Sequence, residues 1–219
     1  MNKLPHFKNE LAKWKKGYCV TGVDEVGRGA LAGPLVVGAI CFRPLRKKDI
    51  KYWRGIGIND SKKLKPLQRI KLSKLIKEKL FHSIGSVSVA KINKQGITRS
   101  TQEAMRKAIQ GVIKQLKGER IFVLSDAFYI RYLKGIGLKN QKAIVHGDEI
   151  SIAIAAASVV AKVERDRMMK RLSRKHPNYF WGRNKGYGTQ KHQKAIKKYG
   201  TTKLHRLLFL RKILPTHTS

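Results

Sequence analysis

The sequence predicts an α/β fold in which a mixed β-sheet is flanked by helices and followed by a C-terminal helical extension. Short apolar runs rich in Val and Ile come first, as expected of buried strands. Later runs of this kind alternate with stretches whose apolar residues recur at helical spacing, which is typical of helices packed on a sheet. After Arg171 the sequence becomes basic, aromatic and punctuated by glycine, and this change marks the extension.

The first half of the chain predicts three strands and one helix. Residues 18–24 and 35–42 are apolar runs of strand length separated by a glycine-rich turn, and they predict adjacent strands. Residues 66–80 carry apolar side chains near helical spacing, and Pro66 suits the first turn of a helix. Residues 81–89 then predict a third strand.

The second half predicts one long helix and several shorter elements. Residues 101–116 give the clearest helix because their apolar side chains form one continuous face, and Gly118 suits its end. Small residues dominate residues 150–163, which is the pattern of a helix packed closely against a sheet. The remaining predicted elements are strands at 121–124 and 143–145 and helices at 190–199 and 204–213.

The length and composition predict one catalytic domain. With 219 residues, 42% of them hydrophobic, the chain can bury one sizeable core but not two. We expect residues 1–16 to form a basic N-terminal segment, residues 17–171 the core and residues 172–219 the extension. Cys19 and Cys41 lie in apolar runs and are expected to be buried and reduced, although a disulfide stays possible.

The charge of the chain predicts a polyanionic partner. Lys and Arg number 49 against 13 Asp and Glu, a formal net charge of +36. Such a chain favours nucleic acid, with an affinity that falls as salt rises, and its self-repulsion favours a monomer. No apolar run is long enough to span a membrane, and residues 1–16 lack the apolar core of a secretory signal. We therefore expect a cytoplasmic protein.

Three aspartates predict a metal site. Asp24, Asp126 and Asp148 each lie at or just after the C-terminal end of a predicted strand, where ligands bind in open sheets. Carboxylate oxygens suit hard cations such as Mg²⁺ or Mn²⁺, and two such ions can cleave a phosphodiester. Glu25 can join Asp24 only if the strand ends or bulges there, because neighbouring strand residues point to opposite faces.

The alternative is that these acids stabilise helix ends or turns. Asp148 in particular sits where a helix N-terminus would favour negative charge. That explanation does not account for the adjacent acids Asp24 and Glu25, followed directly by a Gly-Arg-Gly turn, because no cap needs both.

Four ordered sequence blocks resemble ribonuclease HII and together span most of the chain. They are Asp24-Glu25-Val26-Gly27-Arg28-Gly29 with Gly33-Pro34, Asn59-Asp60-Ser61-Lys62-Lys63-Leu64, the Ala-rich block from Ala155 to Val163 with Arg165-Asp166, and Gly186-Tyr187-Gly188-Thr189 with His192. The resemblance implies a ribonuclease H-like fold, two divalent ions, and hydrolysis of RNA paired to DNA, including single ribonucleotides within a DNA duplex. It implies catalytic and metal-binding roles for Asp24, Glu25, Asp126 and Asp148.

Two positions depart from the family pattern. The third acid, Asp126, is followed by Ala127 and Phe128, where the family usually has glycine. The stretch from Leu204 to Leu207 only partly matches the family's late histidine-arginine sequence, so no role is assigned to it.

Substrate recognition is expected from the Gly-Arg-Gly turn and from Tyr187. Gly27 and Gly29 allow the backbone to approach a 2′-hydroxyl in the minor groove, and Arg28 can hold a phosphate. The resemblance assigns recognition of the RNA–DNA junction to this turn together with Tyr187. The alternative for Tyr187 is a loop tyrosine packed on the surface.

Other candidate contacts carry simpler alternatives. Lys62 and Lys162 are candidate phosphate or metal-site cations, although each can equally be a solvated charge among many. Asp166 is expected to pair locally on its helix. The aromatic run 179–181 can stack on a duplex or belong to the core.

The sequence therefore predicts an endoribonuclease that cleaves on the 5′ side of a ribonucleotide and leaves 3′-hydroxyl and 5′-phosphate ends. One alternative is a non-catalytic RNA-binding or ribosome-associated protein, for which the charge alone would argue. Another is a different two-metal nuclease, such as a DNA resolvase.

Overall fold

The computed structural model describes residues 4–211 and 213; residues 1–3, 212 and 214–219, which belong to the predicted terminal segments, lie outside the described residues. The described chain contains a five-stranded mixed sheet in the order β3-β2-β1-β4-β5. The strands are β1 (Cys19–Val26), β2 (Leu35–Phe42), β3 (Phe81–Val87), β4 (Ile121–Asp126) and β5 (Gln141–Ile144). Strand β2 pairs antiparallel with both β1 and β3, whereas β1, β4 and β5 run parallel to one another, so the predicted α/β class is confirmed.

Helices cover both faces of this sheet. Within the described residues they are α1 (Lys8–Trp14), α2 (Lys47–Gly55), α3 (Pro66–Lys79), α4 (Val89–Leu116), α5 (Gly147–Ile150), α6 (Ile152–Lys175), α7 (Trp181–Asn184), α8 (Gln190–Tyr199) and α9 (Leu207–Leu210). The sequence analysis did not anticipate α1, α2, α5 and α7. Two of these helices, α5 and α7, have only four residues, too few for a periodic pattern.

The two long helices α6 and α4 pack on opposite faces of the sheet. The face of α6 buries Phe42, Trp53 and Ile76, whereas the face of α4 buries Leu35, Met105 and Val123. The small residues of α6 lie directly against the strands, as predicted: a Cβ atom at Gly22 would lie 2.1 Å from the carbonyl carbon of Ala153. This close approach brings the side chains of α6 to the end of β1.

The N-terminal helix α1 is tied to the start of α6 by a buried carboxylate. Glu10 is fully buried, and its Oε1 accepts hydrogen bonds from the Ser151 hydroxyl at 2.6 Å and from the Ala153 N–H at 3.0 Å. The Ser151 hydroxyl in turn accepts from the Ile154 N–H. Glu10 therefore satisfies backbone donors at the N-terminus of α6 that would otherwise lack partners.

Several boundaries differ from those predicted. Strand β1 continues two residues past Asp24 because β2 pairs with it as far as Val26. Residue Val89 was predicted to end a strand but begins α4, since the Ser88 side chain caps the helix there. Helix α4 thus starts well before residue 101, with a kink at Gly96.

The predicted helix at 204–213 is helical only from Leu207 to Leu210 among the described residues. The backbone before it is engaged elsewhere: the Gly33 N–H donates to the Leu204 carbonyl, and the Arg206 N–H donates to the Leu31 carbonyl. Residues 204–206 therefore form a bridge to residues 31–33 instead of a helical turn.

The C-terminal extension has its own small core. Helix α6 runs past residue 172 to Lys175, so it joins the sheet to the extension. Tyr179 and Trp181 are buried with Met169 in this core, whereas Phe180 is 45% exposed. Two of the three aromatic residues at 179–181 are therefore core residues.

Two further expectations concern the cysteines and the membrane. Cys19 and Cys41 are both buried and free. None of the helices in residues 4–211 is long and apolar enough to cross a lipid bilayer.

Candidate active site

A cavity of about 470 Å³ opens at the end of the sheet where β1 and β4 separate. Every residue that the sequence analysis named as catalytic or substrate-binding lines it. These residues are Asp24, Glu25, Gly27, Arg28, Gly29, Lys62, Asp126, Asp148, Lys162 and Tyr187. Val26, Ser61 and Ser158 complete the lining. Segments far apart in sequence thus meet at one end of the central strands.

The sequence analysis required β1 to end or bulge at Glu25, but Asp24 and Glu25 both line the cavity on a strand that continues to Val26. The register between β1 and β2 is regular, with Asp24 opposite Gly38 and Glu25 opposite Val37, so that expectation was wrong. Both side chains reach the cavity because β1 loses its neighbour on its other side. The pairing of β1 with β4 stops at Val23, and beyond that point no strand of the described chain separates the two faces of the sheet.

Asp126 and Asp148 are linked through the backbone between them. Asp126 is the last residue of β4, and its Oδ1 accepts a hydrogen bond of 2.8 Å from the Gly147 N–H. Gly147 begins α5, and Asp148 follows it in the first turn of that helix. Asp148 therefore occupies a favourable position near a helix N-terminus and lines the cavity as well.

Burial and mutual repulsion raise the pKa values of Asp24, Glu25 and Asp148. Burial, followed by the charge of Glu25, raises the pKa of Asp24 well above its usual range. Burial raises the pKa of Glu25 to about 7, although Arg28 opposes this shift. Burial and the neighbouring Asp60 raise the pKa of Asp148. The cavity thus concentrates negative charge that a bound cation would stabilise.

The donor set fits hard divalent cations. Carboxylate oxygens are their preferred ligands, and the buried Oε2 of Glu25 has no hydrogen-bond partner within the described residues. Among those residues, however, no three His, Cys, Asp or Glu side chains already form a ready-made metal site. The carboxylates contact nearby protein groups instead. Asp24 accepts a hydrogen bond of 2.8 Å from the Glu25 N–H, and Asp148 lies 3.8 Å from the Lys62 Nζ.

The sequence analysis missed three polar residues around the acids. The Ser158 hydroxyl on α6 donates to the Ser61 hydroxyl at 3.0 Å and lies close enough to Asp24 to oppose the rise of its pKa. Asp60 is buried, and its Oδ1 accepts from the Lys62 N–H at 2.9 Å. Two features of the sequence could have identified these residues: the pair Asp60-Ser61 within its family block, and the isolated Ser158 within the Ala-rich helix.

The two lysines have different partners. The Lys62 side chain is 81% exposed and is therefore free to meet a phosphate near Asp148. The Lys162 Nζ lies 2.7 Å from the Asp166 Oδ1, which confirms the predicted local pairing of Asp166 and engages Lys162 within its own helix.

The Gly-Arg-Gly turn is shaped by packing on one side and open on the other. Gly27 has a φ of +93°, and a Cβ atom there would lie 2.0 Å from the Arg165 Nε. Gly29 has open space around it, as a residue facing a substrate requires. The Arg28 guanidinium lies 3.8 Å from Glu25 and 5.1 Å from the centre of the Phe128 ring. Phe128 therefore helps to hold the Arg28 guanidinium in place. It directly follows Ala127, the position at which the sequence departs from the family pattern.

Two fully buried arginines support this turn, and the sequence analysis missed both. Arg165 donates to the carbonyls of Pro34 and Lys185, and its guanidinium lies 5.3 Å from the Tyr187 ring centre. Arg206 donates to the carbonyls of Gly27 and Arg28. The partial histidine-arginine match near the C-terminus was the available signal for Arg206.

The comparisons with known proteins agree with this site. Residues 21–212 match the family model for ribonuclease HII. A ribonuclease HII of Clostridium acetobutylicum is 41% identical over 98% of this chain and 84% of its own length. The enzyme of Clostridioides difficile is 44% identical over 95% of this chain and 76% of its own length.

Solved structures share the fold. The Archaeoglobus fulgidus ribonuclease HII in complex with PCNA is 25% identical, with a TM-score of 0.68, and the match covers 86% of this chain and 94% of that one. The ribonuclease H2 of Pyrococcus horikoshii is 27% identical, with a TM-score of 0.64 and coverage of 89% and 96%. A Bst ribonuclease HIII solved with Mn²⁺ is 19% identical, with a TM-score of 0.70 and coverage of 92% and 71%. With the family model matched over most of its length, the chain belongs to the ribonuclease HII family and is a ribonuclease H that acts on RNA–DNA hybrids.

Proposed function

We propose that this enzyme hydrolyses the RNA strand of RNA–DNA hybrids and also cleaves on the 5′ side of single ribonucleotides embedded in duplex DNA. The products would carry 3′-hydroxyl and 5′-phosphate ends. The observation that carries the proposal is the shared cavity, in which four carboxylates stand beside the Gly-Arg-Gly turn and Tyr187. Acids alone would suit many nucleases, whereas the turn and Tyr187 supply a means to recognise a ribonucleotide.

Asp24, Glu25, Asp126 and Asp148 would hold two divalent cations, Mg²⁺ or Mn²⁺. The cations would supply activation of the attacking water and stabilisation of the leaving oxygen. The raised pKa values support this role, because a group whose charge is poorly stabilised in the free protein gains most from a cation. The Mn²⁺ bound by the Bst ribonuclease HIII is a precedent on the same fold.

The remaining lining residues would bind and orient the nucleic acid. The exposed guanidinium of Arg28 and the Lys62 ammonium would contact phosphates on either side of the acids. Backbone N–H groups of the turn would contact the 2′-hydroxyl, and the Tyr187 ring would stack at the junction. Lys162 would neutralise Asp166 and contribute positive potential at the cavity wall.

We further propose that the chain acts as a monomeric single catalytic domain in the cytoplasm. Helix α6 supports the single domain because it runs without interruption from the sheet into the extension. The net charge of +36 opposes self-association, and two buried free thiols suit a reducing compartment.

The test is a DNA duplex that carries one ribonucleotide, incubated with Mg²⁺ and the Asp126→Asn variant. We expect the variant to lose at least about 100-fold in kcat, because a neutral amide cannot hold a divalent cation as a carboxylate does. Normal turnover by this variant would refute the four-acid assignment.

The same duplex separates the alternative functions. A non-catalytic RNA-binding protein would bind it without metal-dependent cleavage, and a DNA resolvase would cleave all-DNA junctions instead.

The Tyr187→Ala variant should lose more cleavage of the ribonucleotide duplex than affinity for duplex in general. Equal loss of affinity for all-DNA and ribonucleotide duplexes would remove its role in selectivity.

A further inference from the structure

His205 and Arg206 are adjacent, fully buried side chains of the C-terminal extension. Neither lines the catalytic cavity. Each nevertheless connects to one of the two elements that face the nucleic acid in the proposed function, and the two connections run to different elements. This pair therefore requires an explanation beyond ordinary core packing.

Arg206 holds the Gly-Arg-Gly turn through its carbonyl groups. Its guanidinium donates to the Gly27 carbonyl at 2.6 Å, to the Arg28 carbonyl at 2.9 Å and to the Gly33 carbonyl at 2.9 and 3.1 Å. In a trans peptide the C=O and N–H groups point in opposite directions. Because two successive carbonyls point toward Arg206, the N–H groups of Arg28 and Gly29 point away from it.

These two N–H groups remain available for a ligand. Neither donates a hydrogen bond to any acceptor among the described residues, and both residues line the cavity. Successive N–H groups of this kind form a concave site for an anion or a hydroxyl oxygen. Arg206 thus fixes the orientation of the donors that would contact the ribose.

His205 reaches Tyr187 through a second histidine. The Thr202 N–H donates to the His205 Nδ1 at 2.9 Å, which places the His205 hydrogen on Nε2, 3.3 Å from the His192 Nε2. The Trp181 Nε1 donates to the same His192 nitrogen at 2.9 Å. The other His192 nitrogen, Nδ1, therefore carries a hydrogen and donates to the Tyr187 carbonyl at 2.9 Å.

The backbone joins the two elements around this pair. The N–H groups of Leu31 and Ala32 donate to the Gly186 carbonyl, next to Tyr187, and the Arg206 N–H donates to the Leu31 carbonyl. The turn, the Tyr187 loop and residues 205–206 thus form one hydrogen-bonded unit.

We propose that His205 and Arg206 are positioning residues that fix the Gly-Arg-Gly turn relative to Tyr187 and thereby set the preference of the enzyme for a ribonucleotide over DNA. The proposal rests on the proposed function, in which the turn and Tyr187 read the ribonucleotide. Arg206 orients the donors of the turn, and His205 supports the Tyr187 backbone carbonyl through His192.

The experiment measures dissociation constants for two duplexes that differ only in one 2′-hydroxyl. The full chain carries Asp126→Asn so that neither duplex is cleaved, and Mg²⁺ is present throughout. If this parent shows no preference for the ribonucleotide duplex, the proposed function fails at the start. If it shows a preference, the Arg206 variants test the present inference alone.

Arg206→Met and Arg206→Lys should both weaken binding of the ribonucleotide duplex about tenfold, the value of one or two hydrogen bonds. The dissociation constant for the all-DNA duplex should change by less than about twofold, because the side chain at position 206 is buried and would not contact a phosphate. Arg206→Lys keeps the charge but not the planar fork, so it decides the matter if Arg206→Met does not fold. An unchanged preference in a folded Arg206 variant would overturn the proposal.

The His205 variants test the second connection. His205→Phe removes both hydrogen bonds and should reduce the preference about fivefold, whereas His205→Gln keeps a donor near the Nε2 position and should retain most of it. An equal preference in His205→Phe and the parent would remove His205 from the proposal.

The matched control is Trp53→Leu, a destabilising change in the buried core on the α6 face of the sheet, outside the cavity. A purely structural effect would lower the fraction of active protein in every variant and leave the ratio of the two dissociation constants unchanged. If Trp53→Leu loses the preference as the Arg206 variants do, the loss reflects stability and the proposal fails.

Discussion

At the scale of single residues, one group in the cavity and one beside it are in states that cost folding free energy. Glu25 has a buried carboxylate oxygen for which the described residues offer no donor. Ala127, directly after Asp126, has a φ of +63°, in the left-handed region that residues with a Cβ atom disfavour. Such strained positions concentrate at functional sites, and each of these two leads to a measurable prediction.

Glu25→Gln should stabilise the metal-free enzyme at alkaline pH. Below pH 4.5 the Glu25 carboxyl is protonated in both states. Between 4.5 and about 7 the folded protein keeps a proton that the unfolded chain has released, so stability falls as pH rises through this window. At about 1.4 kcal/mol per pH unit, this window corresponds to roughly 3–4 kcal/mol at most. Urea unfolding in EDTA at pH 5 and pH 8 would measure it.

In that experiment the variant should gain stability at pH 8 and little at pH 5. Mg²⁺ should raise the melting temperature of the parent at pH 8 more than that of Glu25→Gln, because the amide is a poorer ligand for the cation. An equal stability gain at both pH values would show that the Glu25 charge is not the cause.

Ala127→Gly should stabilise the protein by about 0.5 kcal/mol. Glycine removes the left-handed strain of about 1–2 kcal/mol but costs part of this gain in unfolded-chain entropy. Chemical denaturation would measure the difference. The control is Ala12→Gly on α1, where the backbone is helical and the same replacement should cost about 1 kcal/mol. A loss of stability at both positions would contradict the strain at Ala127.

At the scale of secondary-structure elements, the position of α6 decides the geometry of the site. This helix carries Ser158 beside Asp24, Lys162 in the cavity wall and Arg165 against Gly27 of the Gly-Arg-Gly turn. It can approach β1 only because Gly22 has no side chain. The packing of one helix on one glycine therefore controls residues in three parts of the site.

Gly22→Ala should destabilise the protein by about 3 kcal/mol and reduce kcat, because the new methyl group would overlap the α6 backbone and displace Ser158 from Asp24. Gly55→Ala is the matched control, since a Cβ atom at Gly55 meets nothing within 4 Å and the residue ends a helix. Thermal unfolding and single-turnover kinetics of both variants provide the test. Equal stability of the two variants would show that α6 does not depend on Gly22.

At the scale of the whole molecule, charge and chemistry occupy different parts of the protein. The net charge of +36 reflects a chain rich in Lys and Arg, whereas four of its 13 acidic residues line the cavity together. The surface supplies affinity for any duplex, which does not depend on sequence or sugar. In the proposed function, the cavity supplies the discrimination and the cleavage.

Salt and chelator should therefore act on different properties. Raising salt from about 50 to 200 mM should weaken duplex binding about 10³-fold if six or more phosphates are contacted. The ratio of affinities for ribonucleotide and all-DNA duplexes should change little, because hydrogen bonds to the sugar release no counterions. Fluorescence anisotropy over a salt series would measure both quantities, and a preference that vanishes with rising salt would contradict this separation.

EDTA should abolish cleavage and leave duplex binding largely intact, because the basic surface does not need a metal ion to bind phosphate. A gel assay of cleavage beside a binding titration in the same buffer would test it. Cleavage that persists in EDTA would exclude the metal-dependent mechanism.

The sequence by itself determined where the five strands and parts of the two long helices lie, and it singled out the candidate acids, because these follow from local patterns. Apolar runs fixed β2 at Leu35–Phe42, and helical spacing fixed α8 at Gln190–Tyr199. The adjacent pair Asp24 and Glu25, set in a chain with few acids, marked the site.

Only the tertiary structure decided how these parts combine. The placement of Glu25 in the cavity depends on where β4 leaves β1, which no local pattern records. The sequence did not mark Glu10, Arg165 or Arg206 as buried, because nothing in it shows which charged side chains will be enclosed and paired with backbone groups. Burial and pairing are properties of distant segments brought together, so they emerge only when the chain has folded.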